Sequence, residues 1–123
     1  MPERNVEKTY RTTNKADVLL LLSACRGQDE ARRIARALID EHPASFVNIA
    51  KVDSIYRWKG RVGESEEHMI IAKTKSSVCE KAQEIVRALR RYELPEIIAL
   101  RVEKGHAAYL DWIAGNVGMH ESG

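Results

Sequence analysis

Few side chains in this 123-residue sequence have the type and spacing to do chemistry. Glu66 and His68 stand two residues apart in an extended stretch. They therefore share one strand face and offer a carboxylate and an imidazole to a soft divalent ion. Two donors do not make a closed site, and the ordinary reading of such a pair is the solvated edge of a hairpin. Glu64, Glu66 and Glu67 read in the same way, as a solvated run whose carboxylates can also accept a cation. His42, His68, His106 and His120 are scattered, and none has a histidine or cysteine partner at metal-ligand spacing. Cys25 falls between a strand and a helix start, a place where a thiol pKa can drop. A phosphatase-type loop needs arginine six residues later, where this chain has Ala31, so Cys25 reads as an unreactive thiol. Cys79 sits on the apolar stripe of a helix and reads as a core packer. No nucleophile and base pair up, so no enzyme and no organic cofactor are expected.

Tyr56 and Trp58 alternate onto one strand face, flanked by Arg57 and Lys59. The pattern looks superficially like a stacking platform for single-stranded nucleic acid. Two rings and a net charge of +2, from 20 basic and 18 acidic residues, give that little support. A Tyr and a Trp on a protruding strand suit a protein seam better, since each has a broad apolar face and one polar handle.

The elements that position these residues follow from periodicity. Asp17 to Ala24 is a continuous apolar run that fits a central strand. Ala31, Ile34, Ala35, Leu38 and Ile39 recur at helical spacing over 28–41, with Asp29 and Glu30 in the first turn and Pro43 beyond the end. Residues 45–59 form a long second strand, Gly60 and Gly63 mark the turn region, and residues 67–74 return as a third strand. Ser77 and Glu80 have capping-box spacing, and a second helix is expected over 77–91, with Arg87, Arg90 and Arg91 in its last turn. Pro95 opens a fourth strand over 96–102, and a short helix after Gly105 carries Tyr109, Trp112 and Ile113.

This order, βαββαβ with a C-terminal helix and a long β2–β3 hairpin, defines an α+β ferredoxin-like sandwich. One domain is expected over 17–117, with a polar extension at 1–16 and a tail at 118–123. A chain of this size buries roughly two thirds of its unfolded surface without staples. At 44% hydrophobic and 31% charged it is too apolar for a disordered chain. Two cysteines suggest reduced thiols and a cytoplasmic setting. The first 16 residues lack the apolar core of a signal peptide, and the run from Val18 to Leu22 is far short of a membrane span. Helices on one face leave the other sheet face needing cover, which argues for an oligomer.

Ser54-Ile55-Tyr56-Arg57-Trp58-Lys59-Gly60 resembles the Ser-Ile/Val-Tyr-x-Trp-x-Gly signature of the CutA divalent-cation-tolerance proteins. Ala44 to Asn48, Glu67 with Ile70 to Thr74, Tyr92 to Ile97, and Tyr109 to Ile113 fall in the family's order, so the resemblance spans about residues 18–114. It implies a ferredoxin-like homotrimer, similar to the PII signalling proteins, whose hairpins extend sheets across subunits and leave clefts between them. It also implies a role in tolerance of copper and other divalent metals, with no settled enzymatic activity. The cleft and seam positions it suggests are Tyr56, Trp58, Glu67, Lys73, Glu96, Tyr109 and Trp112; the metal positions are His68, Glu66 and Cys79. Phe46 stands where relatives commonly have a cysteine, and Arg90 where they have a histidine, which counts against tight copper binding. Two functional readings stand open: a trimeric metal-tolerance protein that binds metal weakly, or a PII-like module holding a small anion in its clefts through Lys73, Arg57 and the rings. Neither nucleic acid nor a membrane is an expected partner.

Overall fold

The structure is a computed structural model that describes residues 14–90 and 94–118. The expected extension at 1–16 and tail at 118–123 therefore lie almost wholly outside the described residues, as do Arg91 and Tyr92. Seven elements follow the predicted order: β1 (Val18–Cys25), α1 (Gln28–Asp40), β2 (Phe46–Trp58), β3 (Arg61–Lys75), α2 (Ser76–Leu89), β4 (Ile98–Arg101) and α3 (Ala107–Gly115). The strands make one antiparallel sheet in the order β2-β3-β1-β4, which is the ferredoxin-like arrangement.

Alternation along β1 divides the core. Leu21 and Cys25 point to the helices and meet Ile70 and Ala72 of β3, with Ala31, Ile34 and Leu38 of α1 and Ala82 and Val86 of α2 closing over them. Leu20, Leu22, Ile71 and Met69 point the other way. They share that face with Phe46 on one edge strand and the exposed Ile98 and Leu100 on the other. The third helix covers one end of this second face, where Leu110 and Ile113 bury Val18. Among the described residues nothing covers the rest of the face.

Four expectations about local structure are corrected. The third strand starts at Arg61, not at 67, so Glu64 and its neighbours before residue 67 lie in the strand as well. Lys59 and Gly60 both take positive φ (53° and 79°), giving a two-residue turn of the type whose twist matches a hairpin. Gly63 lies inside β3, where its missing Cβ makes room for the Tyr56 ring; a Cβ there would stand 2.7 Å from a ring carbon. The Ser77–Glu80 capping box is not formed. Strand β3 runs directly into α2, Lys75 occupies the N-cap without a side-chain bond, and the Ser76 amide donates to the Asp17 carbonyl at 3.1 Å. The Asp17 carboxyl is held below its usual range by hydrogen bonding with Ser76 and by Arg101, whose Nη1 is 2.6 Å away. Helix α2 ends at Leu89, and Arg90 turns away in an extended conformation instead of lying on a solvated last turn.

Candidate functional site

The site on the open sheet face is built from β2, β3 and α3. Phe46 and Lys73 are direct cross-strand partners, and the lysine Nζ stands 4.2 Å from the centre of the Phe46 ring. The same ammonium lies 5.5 Å from the Tyr109 ring and 3.5 Å from Asn48 Oδ1. Tyr109 in turn stacks on Trp112 with centroids 5.8 Å apart and planes within 8°. Helix α3 is pinned to make this meeting possible. Lys75 Nζ donates to the Ala114 carbonyl at 3.1 Å, placing a cation where the helix dipole is negative. The sequence pointed to Lys73, Tyr109 and Trp112 but missed Phe46 as their partner. The signal available was its place opposite Lys73 in the hairpin register.

Tyr56 and Trp58 are not with them. They share the face of Phe46 but lie ten and twelve residues further along the same strand, roughly 33–40 Å at 3.3 Å per residue. There Tyr56 folds across Gly63 and Lys59 Nζ stands 5.7 Å over the Trp58 ring. The opposite face of this hairpin tip exposes Ile55 (72%) and Val62 (63%) among the charged Asp53, Arg57, Glu64 and Glu66. Glu67 lies between the two ends on the open face, opposite Val52. Glu96 contributes its carbonyl rather than its side chain to the described bonds, accepting from Ser23 Oγ at 2.7 Å and from Arg90 Nη1 at 3.1 Å.

Among the proposed metal positions, Glu66 and His68 keep to one strand face, opposite Asp53 and Lys51. The Glu66 carboxylate pairs with Lys51 Nζ at 3.2 Å, both side chains exposed. His68 Nδ1 is buried and has no hydrogen-bond partner. Cys79 does not join them; it is buried in the first turn of α2 with Gln83 Nε2 at 3.6 Å. Among the described residues no three His, Cys, Asp or Glu side chains converge as a metal group. The residues fit a weak, open cation contact and do not fit a tight closed one.

Cys25 is fully buried, and that burial pushes its thiol up to about 11 from 9.0. The helix start that could have lowered it is overruled by desolvation. The folded state thus favours the protonated thiol. The stability this contributes is complete below pH 9 and is lost as pH rises from there towards 11. Iodoacetamide at neutral pH should leave Cys25 unmodified in the native protein and label it on unfolding, as read by peptide mass mapping.

A four-stranded antiparallel sheet in the order β2-β3-β1-β4, with a long hairpin and an aromatic cluster around a lysine, defines an α+β protein of ferredoxin-like fold. The family model for the CutA1 divalent ion tolerance protein matches residues 19–116, and the chain belongs to that family. It is 41% identical over 100 residues to the divalent-cation tolerance protein CutA of Thermus thermophilus, covering 80% of this chain and 97% of that one. It is 40% identical over 90 residues to the human protein CutA, covering 72% of this chain and 50% of that one. The chain thus spans about half the length of its human and mouse relatives. The solved Thermus thermophilus structure superposes with a TM-score of 0.79 at 40% identity, covering 82% of this chain and 99% of that one. Among the described residues no helix is long and apolar enough to cross a membrane.

Proposed function

We propose that this protein acts in tolerance of divalent cations as a homotrimer that binds copper or a similar ion weakly and catalyses no reaction. The observation that carries the reading is the family match across residues 19–116. Assembly is supported by the hairpin tip, which exposes Ile55, Tyr56, Trp58 and Val62 for a neighbouring chain to cover; a closed ring of head-to-tail contacts does this. A cleft holding both Tyr56 with Trp58 and Tyr109 with Trp112 needs two copies, because one chain keeps them at opposite ends of the sheet. Glu66 and His68 are the donors for the ion, with the Lys51 ammonium on Glu66 keeping affinity low. The anion-binding alternative is less favoured, because the Lys73 charge already rests on two ring faces and Asn48. The cytoplasm is the proposed location, although relatives include a rice protein called chloroplastic and an Archaeoglobus fulgidus structure called periplasmic.

Equilibrium dialysis against copper(II) tests the binding. Uptake should appear in excess metal and vanish on gel filtration. His68→Ala should weaken it roughly tenfold or more, equivalent to about 1.4 kcal/mol or more. Uptake that ignores His68→Ala would contradict the assignment.

A further inference from the structure

The helix layer carries an open groove of about 330 Å³, lined by Glu41, Lys81, Glu84, Ile85, Ala88 and Leu89. Ile85 and Leu89 are half-buried, set against the main core on their inner sides, and Ala88 is exposed. The outward strip of a surface helix is ordinarily polar, so this apolar floor calls for an occupant. The rim is electronegative. Glu41 caps the C-terminus of α1 and Asp40 precedes it, where the helix dipole is negative and the last turn holds no basic residue. Lys81 Nζ donates to the Glu41 carbonyl at 3.2 Å, so the lining cation answers the helix end rather than a carboxylate. The carboxylates of Glu41 and Glu84 have no hydrogen bond or ion pair among the described residues. Glu80 and Arg87, exposed on the neighbouring strip of α2, offset each other in charge.

We propose that this groove docks a partner protein through a segment that inserts an aliphatic side chain flanked by Lys or Arg. The volume lies at the small end of ligand sites, roughly 300–1,000 Å³, which suits one or two anchoring side chains. The apolar floor supplies affinity by losing water, and the two carboxylates select the sign of the flanking charge. An acidic segment would add like charge to Glu41, Glu84 and the end of α1, and is rejected. The groove lies on the helix side, away from the sheet face that carries Phe46, Lys73 and Tyr109. The inference therefore does not depend on how copies of the chain assemble or on metal.

A random-peptide phage library panned on the full-length protein is the probe. Recovered peptides should share an aliphatic residue flanked by Lys or Arg, and a synthetic consensus peptide should bind less tightly as salt rises. Replacing both carboxylates, Glu41→Gln with Glu84→Gln, should weaken that peptide about fivefold or more. Ala88→Gln, which crowds the floor without changing charge, should weaken it as well. Photo-crosslinking of the peptide to the unmodified protein locates the site without any variant, and adducts are expected on α2 between Lys81 and Leu89. No enrichment, an acidic consensus, binding untouched by both variants, or adducts confined to other elements would overturn the proposal. So would an oligomer that dissociates in either variant by light scattering. The groove would then hold a second copy, whose hairpin tip also joins exposed apolar residues to Arg57, Lys59 and Arg61.

Discussion

Leu21→Ala should lower the free energy of unfolding by about 3–5 kcal/mol, the range for deleting a fully enclosed leucine side chain. Leu21 has no exposed surface and lies in the central strand, opposite Ala72 of β3 and Ala99 of β4. Small residues on both sides mean that no neighbouring side chain in the sheet can swing in to fill the hole. The helices above it are held by Ile34, Leu38 and Val86, all equally enclosed, so collapse from that side is limited as well. Urea unfolding at one fixed protein concentration gives the measurement, because assembly would otherwise shift the midpoint by mass action. A lower midpoint with unchanged slope is expected; a change below about 1 kcal/mol would mean that the site relaxes more than this packing allows.

The second large effect concerns assembly rather than folding. Trp58→Ala should weaken the proposed trimer by about 2 kcal/mol or more per interface, the range for removing an aromatic anchor at a seam. Trp58 is 49% exposed in the single chain and lies on a hairpin tip that makes no use of it for its own core. The variant should therefore unfold at nearly the same denaturant concentration once monomeric, while its mass in light scattering falls at micromolar concentration. Ile55→Asp, on the opposite face of the tip, should do the same if both faces are gripped. An unchanged oligomer in both variants would place the seam elsewhere.

Much of this was legible from the residues. The apolar run at Val18 to Leu22 lies in the central strand as expected, and the stripes on the two long helices bury Ala31, Ile34, Leu38, Cys79, Ala82 and Val86, while Ile39 at the edge of the first stripe stays exposed. The errors share one cause: local signals yield to cross-strand geometry. The third strand begins six residues before the expected start at 67, because a protruding hairpin exposes both faces and tolerates the solvated run at Glu64 and Glu66. Ser77 and Glu80 matched a capping pattern, yet Asp17 at the entrance to β1 already serves the helix start. Arg90 read as a solvated helix-end cation and proved to be buried among Ser23 and Glu96, partners 67 and 6 residues away in sequence. The meeting of Phe46 with Lys73 needed the hairpin register, which no single-strand pattern supplies. Glu66 and His68 were correctly placed on one face, but the fold takes Cys79 into a separate helix turn.

The most direct test of the central claim is a native mass spectrum of the purified protein, recorded before and after a slight excess of copper(II). The account predicts a trimer in both spectra, with only sparse, exchangeable copper adducts. A monomer at micromolar concentration, or a trimer that takes up copper stoichiometrically and keeps it through desalting, would contradict it.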